Sequence, residues 1–141
     1  MRQPWVGSVL VGVVAALMLA AVAGADDRTR TFSVPVDRVW SVTKSTLESL
    51  GWKVDKEDRD VGWLLTKSRR LDHEDYGVYA KGTKHRLRVV IKGREGGKTE
   101  VTVERRVYKE ERILFVDKEE DILTTDRTVE KQILDAVAKS L

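Results

Sequence analysis

Residues 34–67, VPVDRVWSVTKSTLESLGWKVDKEDRDVGWLLTK, constrain the fold most, because the hydrophobic period changes twice within them. Just before and into this stretch, over residues 31–36, Phe32, Val34 and Val36 alternate with Thr31, Ser33 and Pro35, the pattern of a half-buried strand that Pro35 ends. Over residues 37–50, Val39, Thr43, Leu47 and Leu50 recur at helical spacing and Trp40 widens the stripe. Asp37 suits the positive end of that helix, and Gly51 supplies its stop. Trp52 and Val54 then alternate with Lys53 and Asp55, residues 57–60 (EDRD) read as a turn, and residues 63–67 as the second strand of the pair.

Beyond residue 67 the same reasoning predicts more sheet and a closing helix. Residues 68–85 are the least regular part, with one short strand expected over residues 76–80. Leu87, Val89 and Ile91 alternate with charged neighbours, residues 93–97 (GREGG) make a hairpin loop, and Thr99, Val101 and Val103 return on one face over residues 98–107. The apolar run Ile113, Leu114, Phe115 and Val116 reads either as a last strand or as an anchor for the linker that follows. Val129, Ile133, Val137 and Leu141 predict a final helix over residues 125–141, with Ile122 one turn earlier. The order β-α-β-β-(β)-β-β-α predicts an α+β, two-layer domain with both helices on one face of a curved antiparallel sheet.

The first 25 residues are of a different character. Arg2 leads an apolar run over residues 5–23, which ends in Ala23-Gly24-Ala25 before Asp26 and Asp27. This is the layout of a Sec-type signal peptide cleaved after Ala25, and it predicts export. The expected organisation is a signal peptide over residues 1–25, a polar lead-in over 26–30 and one domain over 31–141. Lys and Arg number 26 against 23 acidic residues, interspersed along a chain of 141. A net charge of +3 distributed in this way is not the one-sided basic footprint of a nucleic-acid binder. The chain has no cysteine, which excludes disulfides, thiolate metal sites and cysteine nucleophiles.

Three runs carry a family resemblance: Asp37-Arg38-Val39-Trp40, Leu50-Gly51-Trp52-Lys53-Val54 and Asp58-Arg59-Asp60-Val61-Gly62-Trp63. They resemble the helix-grip domains of the BamC family, lipoproteins of the outer-membrane β-barrel assembly machine. The resemblance implies a helix-grip fold, a periplasmic location, no catalytic residues and no cofactor. The chain departs from that family in lacking a cysteine to acylate and in having room for one such domain.

Candidate sites follow from residue type and spacing. Asp72, His73, Glu74, Asp75 and His85 are ligand types that metals use, but adjacent residues do not converge on one ion, and a solvated loop is the expectation. The basic and aromatic residues Arg69, Arg70, Tyr76, Tyr79, Lys81, Lys84 and Arg86, with the run 113–116, form the candidate interaction surface, suited to an envelope protein, a lipid or an anionic membrane surface. Trp40, Trp52, Trp63, Ile133 and Val137 are the candidate lining of an apolar cavity between sheet and final helix. The functional expectation is a non-enzymatic binding module of the cell envelope, an accessory in outer-membrane assembly or maintenance acting by protein–protein contact, soluble or peripherally associated with the membrane. The alternative is a carrier of a small apolar ligand or lipid.

Overall fold

A computed structural model describes residues 27–71 and 82–141. Among the described residues the chain is α+β, an open antiparallel sheet of seven strands with two helices. The elements are β1 (Thr29–Phe32), α1 (Val36–Ser49), β2 (Val54–Asp58), β3 (Trp63–Thr66), β4 (Arg69–Arg70), β5 (Thr83–Arg94), β6 (Lys98–Ile113), β7 (Val116–Ile122) and α2 (Thr128–Ser140). The sheet order is β1-β6-β5-β3-β2; β4 joins the β3 side of β5, and β7 the β1 side of β6. No helix among the described residues is long and apolar enough to cross a membrane.

The centre of the sheet is the β5–β6 hairpin, in register from Thr83 opposite Lys109 to Arg94 opposite Lys98. Its strands turn through Glu95–Gly97, where Gly96 and Gly97 take positive φ. Because strand side chains alternate between faces, Leu87, Val89 and Ile91 join Val101 and Val103 on one side of the sheet. α1 adds Val39, Trp40 and Leu47 there, α2 adds Ile133, Leu134 and Val137, and Trp52 and Leu64 complete a continuous core. The two helices pack on this face and against each other. Val36 at the start of α1 lies beside Gly93, while Leu50 just past its end meets Arg69.

The elements differ from the sequence expectation mainly at their ends. β1 stops at Phe32, and Thr99 Oγ1 donates to the Val34 carbonyl beyond it; Pro35 is the N-cap of α1. Glu57 and Asp58 belong to β2 rather than to the turn, paired opposite Leu64 and Trp63, and Glu57 holds Lys44 of α1 at 2.8 Å. The tight turn is residues 59–62. β6 continues six residues past Val107 to Ile113, because β7 forms from the charged run after Val116 and pairs with it. Ile122 therefore ends a strand instead of opening the last helix. The helix starts at Thr128, with Asp126 Oδ1 accepting the Thr128 N–H at 2.9 Å. The strand expected over residues 76–80 and the segment 1–25 lie outside the described residues.

The β2–β3 turn tolerates no side chain at Gly62. Its φ is +95°, its N–H donates to Asp58 O, its carbonyl accepts the Ile91 N–H, and a Cβ there would stand 2.3 Å from the Ile91 carbonyl oxygen. Gly62→Ala is expected to lower the unfolding free energy by about 3 kcal/mol. Gly96→Ala, at φ +73° with nothing within 4 Å, should cost about 1 kcal/mol. Urea denaturation of the two variants checks the contrast, and equal losses would contradict the close-approach account.

Candidate interaction surface

The Glu110 N–H donates to the Gly82 carbonyl; beyond it, among the described residues, β6 pairs with β7 alone, so Glu111–Ile113 and Val116–Lys118 make a two-stranded ribbon. The ribbon turns through Leu114 and Phe115, both at positive φ, +48° and +70°. A two-residue hairpin turn of matching twist needs positive φ at both central positions, which is why asparagine and glycine dominate there. Here the positions hold two large apolar residues. Leu114 is 87% and Phe115 92% exposed, and the flanking Ile113 and Val116 are 52% and 65% exposed. Scattered exposed apolar residues need no explanation, but four in succession at the end of an arm do.

Below the tip the arm is charged, and several of its charges are paired. Lys109 meets Glu111 at 2.6 Å, Arg106 meets both Glu119 and Asp121, and Lys84 of β5 meets Glu110. The hydrogen bonds that Glu110 and Glu111 accept hold Lys84 and Lys109 above the usual lysine value, and Lys109 holds Glu111 below the usual carboxylate value. Several charges below the tip are thus paired, while its apolar end is exposed.

The sheet divides the basic residues expected to form one surface. Arg69 and His85 share the helix side, where the Arg69 guanidinium lies 4.8 Å over the Trp52 ring and donates to the Leu50 carbonyl. Arg70 and Lys84 pair on the opposite side, next to Arg86, which lies 5.7 Å from the Tyr108 ring. Arg106 stacks on that ring at 4.8 Å, and the Tyr108 hydroxyl bonds to Ser68. Tyr76, Tyr79 and Lys81, together with residues 72–75, lie outside the described residues.

The residues expected to line a cavity are also separated. Trp40, Trp52, Ile133 and Val137 are buried members of the core cluster, whereas Trp63 faces the helix-free side of the sheet. There it borders an open groove of about 320 Å³ with Val61, Gly62, Val90, Arg88 and Lys92. A second concavity, about 220 Å³, sits at the edge of β6 between β1 and β7, ringed by Arg28, Arg105, Arg106, Arg127 and Leu123. Neither takes a wall from Trp40, Trp52, Ile133 or Val137.

Between the core and that second concavity lies a buried polar chain that no periodicity announces. Glu130 of α2 is fully buried and Arg105 of β6 is 2% exposed, with Nε of Arg105 3.2 Å from Oε1 of Glu130. Arg127 approaches the other carboxylate oxygen at 3.4 Å. On its far side, Arg105 Nη1 is 3.1 Å from Nδ1 of His85, whose ring stacks at a tilt on Trp52 with centroids 4.7 Å apart. Guanidinium only donates, so Nδ1 must accept and the imidazole is neutral with its proton on Nε2. Burial first, then the charges of Arg105 and Arg69, push the His85 pKa down from 6.5 to about 4. Glu130 was legible only as a polar position of the final helix, because its burial depends on where that helix docks.

Two outcomes follow for solution stability. A ring held neutral in the fold is protonated in the unfolded chain below its ordinary pKa, so its contribution is complete above pH 6.5 and lost as pH falls toward about 4. The loss over that window is up to about 3 kcal/mol, and His85→Gln should flatten it in urea titrations run at successive pH values. Glu130→Gln, which leaves Arg105 buried without its counter-charge, is expected to cost about 3–5 kcal/mol by the same measurement at pH 7. No protein-family model matches the chain, and no curated protein matches it in sequence.

Proposed function

We propose that this protein is a non-enzymatic binding module of the cell envelope, of helix-grip type, and that it works by contact through the apolar tip of the β6–β7 ribbon. One observation carries the reading: four successive apolar side chains stand exposed at the end of an arm whose base is held by several ion pairs. Support for the fold type comes from two helices packed together on one face of an antiparallel sheet. Support for the compartment comes from the leader-like composition of residues 1–25 and from the likeness of residues 37–63 to BamC domains.

The backbone strengthens the reading. Residues other than glycine at positive φ cost about 1 kcal/mol each, and apolar exposure adds nothing to the stability of the free protein. Leu114 and Phe115 are therefore poor choices for the turn itself and good ones for a contact. The carrier alternative keeps one observation, the groove of about 320 Å³ beside Trp63, whose size reaches the lower end for small-molecule sites. Its rim of Arg88, Lys92, Glu100 and Glu104 suits a polar occupant better than an apolar one.

The double variant Leu114→Asn/Phe115→Gly separates contact from folding. It is expected to raise the unfolding free energy by about 1–2 kcal/mol, because both residues suit the turn. It should also reduce co-sedimentation with isolated cell envelopes at least tenfold. Equal sedimentation of the variant and the unaltered protein would remove the tip from the function.

A further inference from the structure

We infer that the surface met by this tip is the interfacial zone of a zwitterionic lipid bilayer, an inference that rests on the tip being the contact. Three observations favour lipid over a protein groove. The tip is too small: four side chains at the end of a ribbon offer roughly 500 Å², against about 800 Å² per partner in a stable protein interface. It is also chemically uniform, since the side chains of Ile113, Leu114, Phe115 and Val116 carry no hydrogen-bonding group, whereas protein interfaces hold about one hydrogen bond per 100–200 Å². Finally, it sits at a hairpin end four residues beyond the last β5–β6 pair, Thr83 opposite Lys109, which a fluid apolar layer accommodates without a matching pocket.

Geometry sets the depth and charge sets the lipid. At about 3.3 Å per residue the apolar rungs reach on the order of 7 Å along the ribbon, within the 5–10 Å over which apolar faces sink into the headgroup boundary. The next rung, Arg112 opposite Asp117, stops the arm at headgroup level with one charge of each sign. Over residues 109–121 there are six acidic residues, Glu110, Glu111, Asp117, Glu119, Glu120 and Asp121, against Lys109, Arg112 and Lys118. Even with Lys84 and Arg106, which pair with Glu110, Glu119 and Asp121, the acidic residues outnumber the basic ones, and the remaining negative charge is repelled by anionic lipid and tolerated by zwitterionic headgroups.

Flotation of the purified protein with phosphatidylcholine vesicles tests this, beside the Leu114→Asn/Phe115→Gly variant. Any contribution of the apolar amino-terminal stretch is common to both proteins and cancels. The expected result is at least tenfold more bound protein than variant, with binding weakened several-fold when a third of the lipid is anionic. Because the chain has no cysteine, Leu114→Cys carrying an environment-sensitive fluorophore should shift to the blue on vesicles, and Ser45→Cys on the exposed side of α1 should not. Equal or no flotation of the two proteins overturns the inference, as does binding that rises with anionic lipid. Tip-dependent envelope sedimentation that is lost after protease treatment of the envelopes, without vesicle binding, would assign the tip to a protein partner and leave only the binding-module reading standing. Tip-dependent self-association without lipid would overturn the bilayer in favour of a second copy.

Discussion

The antiparallel pairing of β5 with β6 is the constraint on which the other elements depend. Its residues are close in sequence, joined by a three-residue turn rich in glycine, so its closure entropy is small and it can form before the distant contacts. Once its register is set, odd-numbered residues of both strands face the helices, and the even-numbered ones face away. The strands on either side inherit that division: β1 and β7 dock on the far edge of β6, and β3 and β4 on the far edge of β5. β6 outlasts β5 by Glu110–Ile113, and this overhang is what β7 converts into a projecting ribbon.

The docking of α2 adds a second constraint of a different kind. Ile133, Leu134 and Val137 supply most of its burial, and apolar contacts of that sort tolerate sliding. The Arg105–Glu130 contact, buried between strand and helix, does not. It adds little net stability, since desolvating both ions offsets their attraction, but a helix shifted by one turn would leave two charges buried apart. His85 accepts from the same guanidinium and rests on Trp52, so the orientation of Arg105 is held from both sides.

Between these two constraints the protein divides into a part built for stability and a part that works against it. Under the helices the apolar residues are closely packed, and the polar groups that enter are mostly paired. At the ribbon tip the turn residues are unsuited to the backbone they occupy, and the apolar surface faces water. Local rules fail there, while the surrounding arm sets opposite charges across from each other at Lys109–Glu120, Glu111–Lys118 and Arg112–Asp117. Such a failure, confined to four exposed residues at a hairpin end, is the ground for proposing the tip as the contact.

Much of this was legible along the chain. Helical spacing of Val39, Thr43 and Leu47 located α1, the alternation of Leu87, Val89 and Ile91 with that of Val101 and Val103 located the central hairpin, and Gly51 marked the stop of α1 at positive φ. These features depend on neighbours within a few residues, and linear periodicity records them. The strand β7 could not be read in the same way: VDKEEDI has no buried face, and its only reason to be extended is the row of partners that β6 offers. The side of the sheet taken by Trp63, the burial of Glu130, and the conversion of an apolar run into an exposed turn were likewise decided by tertiary structure. Periodicity measures how often a residue meets the core, whereas the parity of a strand, the docking of a helix and the identity of a pairing partner depend on chain segments far away in sequence.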